Sequence, residues 1–212
     1  MPLRSLLLVC GLLVAACGGG PGPGVQGPPS ARSVAESSSD FSGVQKCPDS
    51  GSYDSYLQVE QAKAPTRYAT DKKTWDSLKA AGANDSYIAV NADTTSDCDQ
   101  FGSSNLQGKV GEVFVVRFQD SAKAAAAYTT SQSEFHLTDS DVAQLKAFGG
   151  TVLDGTATGL GQNSIVVKFA IANVTAYIGL WQNKEFEVAL VTYNLPLTAG
   201  PAAATKVNSR IR

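Results

Sequence analysis

Between residues 164 and 193 three apolar runs follow one another with connections of only a few residues, and no other feature of the 212-residue chain constrains its fold as tightly. The runs are Ser164 to Ala172, Val174 to Trp181 and Glu185 to Tyr193. Each is long enough for a strand, and they are too closely joined for a crossover helix. They predict an antiparallel three-stranded meander, with Asn183-Lys184 in the tight turn before the last strand.

Upstream the pattern is one of separate helices. Tyr53 to Ala62 reads as a short helix ahead of Pro65, and a second helix, capped by Thr70 or Asp71, carries Trp75 and Leu78 and stops at Gly82. Asp120 or Ser121 caps an Ala-rich helix that runs to Tyr128, and Thr138 caps Asp139 to Phe148, which Gly149-Gly150 ends. Tyr87 to Val90 reads as a short strand and Val110 to Phe118 as a longer alternating one, while Pro201 stands near the start of a final helix over Ala202 to Ile211. Helices segregated from a meander make an α+β domain, an antiparallel sheet packed by several helices.

The period-2 pattern of the meander divides it into faces. Ile165, Val167, Phe169 and Ile171 share one, and Ile178 with Leu180 and Phe186 with Val188 and Leu190 are the matching core sets. The opposite face carries Lys168, Tyr177, Trp181, Glu187, Val191 and Tyr193, aromatic bodies with polar tips. A helix covering that face would satisfy the tips at its rim. Left open, the face is an aromatic groove, with Tyr177, Trp181, Tyr193 and Lys168 as the candidate residues for an apolar or sugar-like ligand. Gly159-Leu160-Gly161-Gln162-Asn163-Ser164 reads as the turn that enters the first meander strand.

The N-terminus carries an address. A short basic start precedes Leu6 to Ala16, an apolar run of eleven residues, where a membrane span needs about 20. The run therefore reads as a signal-peptide core over residues 1–16. Leu13-Val14-Ala15-Ala16-Cys17 resembles the lipobox of bacterial lipoproteins, and the resemblance implies that Cys17 becomes the new N-terminus and carries a diacylglyceryl group. An ordinary secreted protein with a Cys near its cleavage site is the alternative. Residues 17–39, rich in Gly, Pro and Ser, read as a flexible tether, leaving 40–212 as one extracytoplasmic domain. The tether's Gly22-Pro23-Gly24-Val25-Gln26-Gly27 matches the dinucleotide fingerprint only formally, because no strand and helix flank it.

Once Cys10 is removed and Cys17 acylated, Cys47 and Cys98 remain, an even pair that reads as one disulfide in an oxidising compartment. A redox pair would favour a close C-x-x-C spacing, which is missing.

Composition and motifs exclude several chemistries. With 17 Lys and Arg against 19 Asp and Glu, nothing offsets the repulsion of a phosphate backbone, so nucleic acid is not an expected partner. The single histidine, His136, cannot build a site of several His ligands, and neither G-x-S-x-G nor a phosphate loop occurs. The carboxylate pairs have ordinary settings: Asp97 with Asp99 in a polar turn, Asp139 with Asp141 in a first helical turn, and Glu185 with Glu187 on the outer face of a strand. No metal or cofactor is expected.

The disulfide, the Gly-Leu-Gly turn into a meander with Trp181, and the terminal Val207-Asn208-Ser209-Arg210-Ile211 resemble the small extracytoplasmic domains of actinobacterial lipoproteins and of PknH-like membrane kinases. That resemblance implies a non-enzymatic role in the cell envelope. The expected protein is lipid-anchored on the extracytoplasmic side of the cell membrane and binds a lipid or envelope metabolite. Docking on another envelope protein is the alternative, and an envelope hydrolase with converging carboxylates the second.

Overall fold

A computed structural model describes residues 29–36, 39–99, 107–130, 137–171 and 174–212. Its centre is one seven-stranded, wholly antiparallel sheet in the order β1-β2-β3-β7-β6-β5-β4, formed by Gln45–Lys46, Ala83–Ala92, Val110–Phe118, Thr151–Asp154, Ser164–Ile171, Val174–Asn183 and Phe186–Tyr193 as β1 to β7. The predicted meander is β5-β6-β7, and its last strand docks on β3. The fold class is therefore α+β, as the sequence pattern indicates.

Helices pack on both faces of the sheet. On the first, α1 (Ala31–Ala35) and α7 (Ala199–Arg210) bury Tyr87, Val113, Val115, Val166, Phe186, Val188 and Leu190. On the second, α2 (Tyr53–Lys63), α3 (Pro65–Ala80) and α5 (Ser121–Tyr128) bury Ile88, Val90, Phe114, Val116 and Phe118. β3 therefore packs on both sides, and each such Val or Phe contributes about 1.5–3 kcal/mol. Cys47 and Cys98 are bonded, tying the segment at β1 to α4 (Thr95–Asp99), so Asp97 and Asp99 sit in a short helix rather than a plain turn.

Local signals place most boundaries. Asp120 caps α5 by accepting from the Lys123 amide, and Thr138 with Asp141 forms a capping box on α6 (Asp139–Ala147). α3 differs from expectation: it starts at Pro65, not near Thr70, because proline at the first helical position lacks only an N–H that would be unpaired anyway. Tyr87 to Val90 is the middle of a ten-residue strand.

The largest correction lies at the N-terminal edge. Residues 31–35, expected in the tether, form α1 in the core, with Ala31, Val34 and Ala35 at most 1% exposed. Ala31, Val34 and Ala35 share one helical face at i, i+3 and i+4, small enough to lie flat on the sheet. Ser30 caps the helix, and the Ala31 amide donates to Asp85 at 2.7 Å. Arg210 of α7 fastens this segment: its Nε donates to the Val34 carbonyl of α1 at 2.8 Å, and its Nη1 and Nη2 donate to the two oxygens of buried Asp40, beyond α1, at 2.7 and 2.6 Å. The folded domain thus includes residues 31–35, which the sequence assigned to the tether.

Candidate functional site

The aromatic groove expected on the meander does not form. The β6–β7 turn is Lys184-Glu185, not Asn183-Lys184, with Asn183 paired to Phe186 and Lys184 at φ 50°. This register aligns Trp181 with Val188 and Ala176 with Tyr193. Phe186, Val188 and Leu190 therefore lie with Tyr177 and Trp181, while Glu187, Val191 and Tyr193 lie on the opposite face with Ile178 and Leu180. Moving a two-residue turn by one position shifts the pairing by two and keeps the faces, so it is the pairing of odd-numbered β6 residues with even-numbered β7 residues that sets Trp181 beside Phe186 and Val188.

The residues that remain together are closed in by α7. Trp181 is fully buried, and its Nε1 donates to Asn208 at 3.1 Å. Tyr177 is 2% exposed and lies against Gly200, where an added Cβ would stand 2.3 Å from its ring. Burial pushes its hydroxyl up to about 12. Lys168 is half-buried, with its ammonium 6.0 Å from the Tyr177 ring centre. Of the four candidate residues, the structure thus brings three together in or beside packed core and sends Tyr193 to the other face.

That other face joins Val191 and Tyr193, expected in the groove, to Ile165, Val167, Phe169, Ile178 and Leu180, expected in the core. Val152, Ile165, Phe169, Ile178, Val191 and Tyr193 are all half-buried, around a floor of buried Val167, Ala176 and Leu180. Register sets them in rows across β4 to β7: Val152, Val167, Ile178 and Val191 in one, Phe169, Ala176 and Tyr193 in the next. Four strands at their normal spacing make this surface about 14 Å wide. Beside it runs α6, which leads through Gly149-Gly150 into the edge strand β4 and buries none of its own residues. Val142 and Leu145 of α6 are half-buried, and Phe148, just beyond it, is 70% exposed. Gly150 brings this connection close to the floor, because a Cβ there would lie 3.7 Å from Val167.

The end of this surface is polar. Glu187, expected on an outer face, is fully buried, and the Tyr128 hydroxyl donates to the Leu180 carbonyl at 3.5 Å. Burial, with smaller contributions from the Asp154 and Glu187 charges, holds that hydroxyl above the usual phenol range.

Among the described residues, two concavities on the helical layer over the second face stand out. One, of about 210 Å³, lies against the Cys47–Cys98 bridge and is lined by Asp49, Tyr56, Glu60, Lys63, Arg67 and Asp99 among others. The other, of about 190 Å³, lies between α2 and α3 over Tyr68 and Trp75. Gly159 enters the turn before β5 in the left-handed conformation, at φ 76°, and Leu160 packs into the core, so that segment serves the fold. Asp139 and Asp141 lie in the first turn of α6, as expected. Among the described residues, no group of three or more His, Cys, Asp or Glu side chains is placed to hold a metal ion. No helix among them is long and apolar enough to cross a membrane. The predicted signal segment 1–16, Cys17 and His136 lie outside the described residues.

No family model matches this chain, and no curated protein or solved structure matches it.

Proposed function

We propose that this chain is an envelope lipoprotein, anchored through Cys17 on the extracytoplasmic side of a bacterial membrane, whose domain binds an apolar ligand without catalysis. The half-buried apolar surface of β4 to β7 carries the reading. Helices bury the central strands on both faces, but here six large apolar side chains stay partly open beside α6, whose Val142 and Leu145 are only half-buried. A stable core has no reason to leave such a surface half-dry, whereas a site for an acyl chain or similar lipid needs one that a guest can finish covering. The binding surface is thus on the side of the sheet opposite the buried Tyr177 and Trp181.

The lipobox resemblance supports the location, and an oxidising compartment suits the Cys47–Cys98 bond. With α1 already in the core at Ala31, only a short stretch of sequence separates Cys17 from the domain, which keeps the surface close to the lipids it would sample.

Labelled palmitate incorporation, lost in Cys17→Ala, tests the anchor. Binding is tested on the full chain carrying Cys17→Ser, titrated with a dansyl-labelled C11 fatty acid. Saturable fluorescence enhancement is expected. Ile178→Asp and Val191→Asp each weaken it at least about tenfold, a loss of about 1.4 kcal/mol, and Lys168→Ala on the opposite face leaves it unchanged. No saturable binding to a protein that melts cooperatively rejects the reading and favours docking on an envelope protein instead.

A further inference from the structure

The cleft beside the disulfide is separated from the apolar surface by the width of the sheet, and its lining is of a different kind. Five ionisable residues, Asp49, Glu60, Lys63, Arg67 and Asp99, face a space of about 210 Å³, with Tyr56, Val90 and the Cys47–Cys98 bridge as the apolar wall. We infer that this cleft binds a small zwitterion, a free amino acid or the end of a peptide that carries both charges, and that it favours a basic one.

The ion pairs of the cleft differ in how firmly they are held. Glu60 is only 4% exposed, and Arg67 grips it with a fork, Nε donating to Oε2 at 2.7 Å and Nη2 to Oε1. A buried, bidentate pair of this kind is rigid and specifies where the guanidinium stands. Lys63 is held differently: its ammonium lies 2.8 Å from Asp49 and 3.5 Å from Asp99, and its side chain is 48% exposed. A pair so open to water is worth little and exchanges easily.

The chemistry of the guest follows from that contrast. A ligand with only a carboxylate can take Lys63 but leaves Asp49 and Asp99 without their cation. A ligand with only an ammonium takes the two aspartates and leaves Lys63 without its anions. A zwitterion replaces both halves of the exchangeable pair at once, its carboxylate toward Lys63 and Arg67 and its ammonium toward Asp49 and Asp99, and so makes charged contacts at both ends where a singly charged ligand makes them at one. Among the described lining residues three carboxylates stand against two cations, an excess of one negative charge that favours a guest with an additional ammonium. Burial also holds the Tyr56 hydroxyl well above the usual phenol range, so the adjoining wall stays neutral and adds no competing anion.

The test is isothermal titration and thermal melting of the purified full-length protein with L-lysine, L-alanine, acetate and n-propylamine. Lysine is expected to bind, alanine more weakly, and each singly charged compound at least tenfold more weakly than alanine. Lys63→Gln, at a half-exposed position that the fold does not need, raises Kd for both amino acids at least tenfold. Asp99→Asn, also exposed, reduces the preference for lysine over alanine. No heat and no change in melting with either amino acid at about 10 mM overturns the inference. Equal responses to the amino acids, acetate and propylamine also overturn it, because they mark a general ionic effect.

Discussion

Replacing Arg210 by alanine is the most direct challenge to the idea that α1 belongs to the folded domain. Arg210 makes three hydrogen bonds from one guanidinium, two to Asp40 and one to the Val34 carbonyl, and so joins the last helix to the end of α1 and to the chain just beyond it. The Asp40 side chain is 2% exposed and that of Arg210 23%. Removing the arginine leaves a buried carboxylate with neither charge partner nor donors, a change that costs about 3–5 kcal/mol. Removing the aspartate costs less, because a partly exposed arginine can turn its head to water. The ordering is therefore part of the expectation: Arg210→Ala is the most destabilised, Asp40→Ala is milder, and the double variant is more stable than Arg210→Ala alone. At about 2–4 °C per kcal/mol for a domain of this size, the Arg210→Ala melting temperature falls by about 10 °C. Calorimetry and urea unfolding of the four proteins measure the cycle. A loss below about 1 kcal/mol for Arg210→Ala, or a double variant less stable than either single one, would refute the reasoning and return residues 31–39 to the tether.

Three further outcomes are expected. The disulfide closes a loop across a sequence separation of 51, so Cys47→Ser with Cys98→Ser costs about 4 kcal/mol in the chain-entropy model, read by urea denaturation without reductant. Gly200→Ala forces its Cβ into the Tyr177 ring, so it lowers stability by about 1–3 kcal/mol although alanine is the better helix former, and thermal melts against Ala202→Gly separate the two effects. Glu36 is held at about 2, chiefly by its hydrogen bond from Lys46. Because its folded value lies below the ordinary one, its contribution is complete above about pH 4.5 and is lost as pH falls toward 2. Melting temperature against pH is therefore flatter for Glu36→Gln than for the parent in that window, and identical slopes would show that this carboxylate does not contribute.

Strand and helix identities were largely legible in the chain because they follow from local chemistry. Thr138 with Asp141 and Asp120 are caps whose partners lie three residues away, and both ended up where the sequence put them. The meander was legible for the same reason, since its short connections admit no other pairing. β1 and β4 were not, because strands of two and four residues carry too little periodicity to distinguish them from loop.

The candidate site was harder to read. Alternation assigns a strand's residues to two sets but does not say which set faces which layer, and when both faces are covered each set is apolar. Alternation already points Phe186 and Val191 in opposite directions, and only the pairing of β7 with β6 and the helices over each face decide which of them joins Tyr177 and Trp181 under α7. Glu187 is the same lesson in reverse, a carboxylate that local pattern assigns to solvent and the register sends inside.

The sequence by itself determined what local and covalent chemistry can determine: an α+β chain, a meander near its C-terminus and one pair of cysteines able to bond. The tertiary structure decided the rest. It drew Ala31, Val34 and Ala35 out of a Ser-rich stretch into the core, filled the aromatic face with α7, and left an apolar surface beside α6 incompletely covered. Those outcomes depend on which surfaces meet across dozens or hundreds of residues, as Arg210 meets Asp40, and the free energy of burial there exceeds any preference written into a window of neighbouring residues.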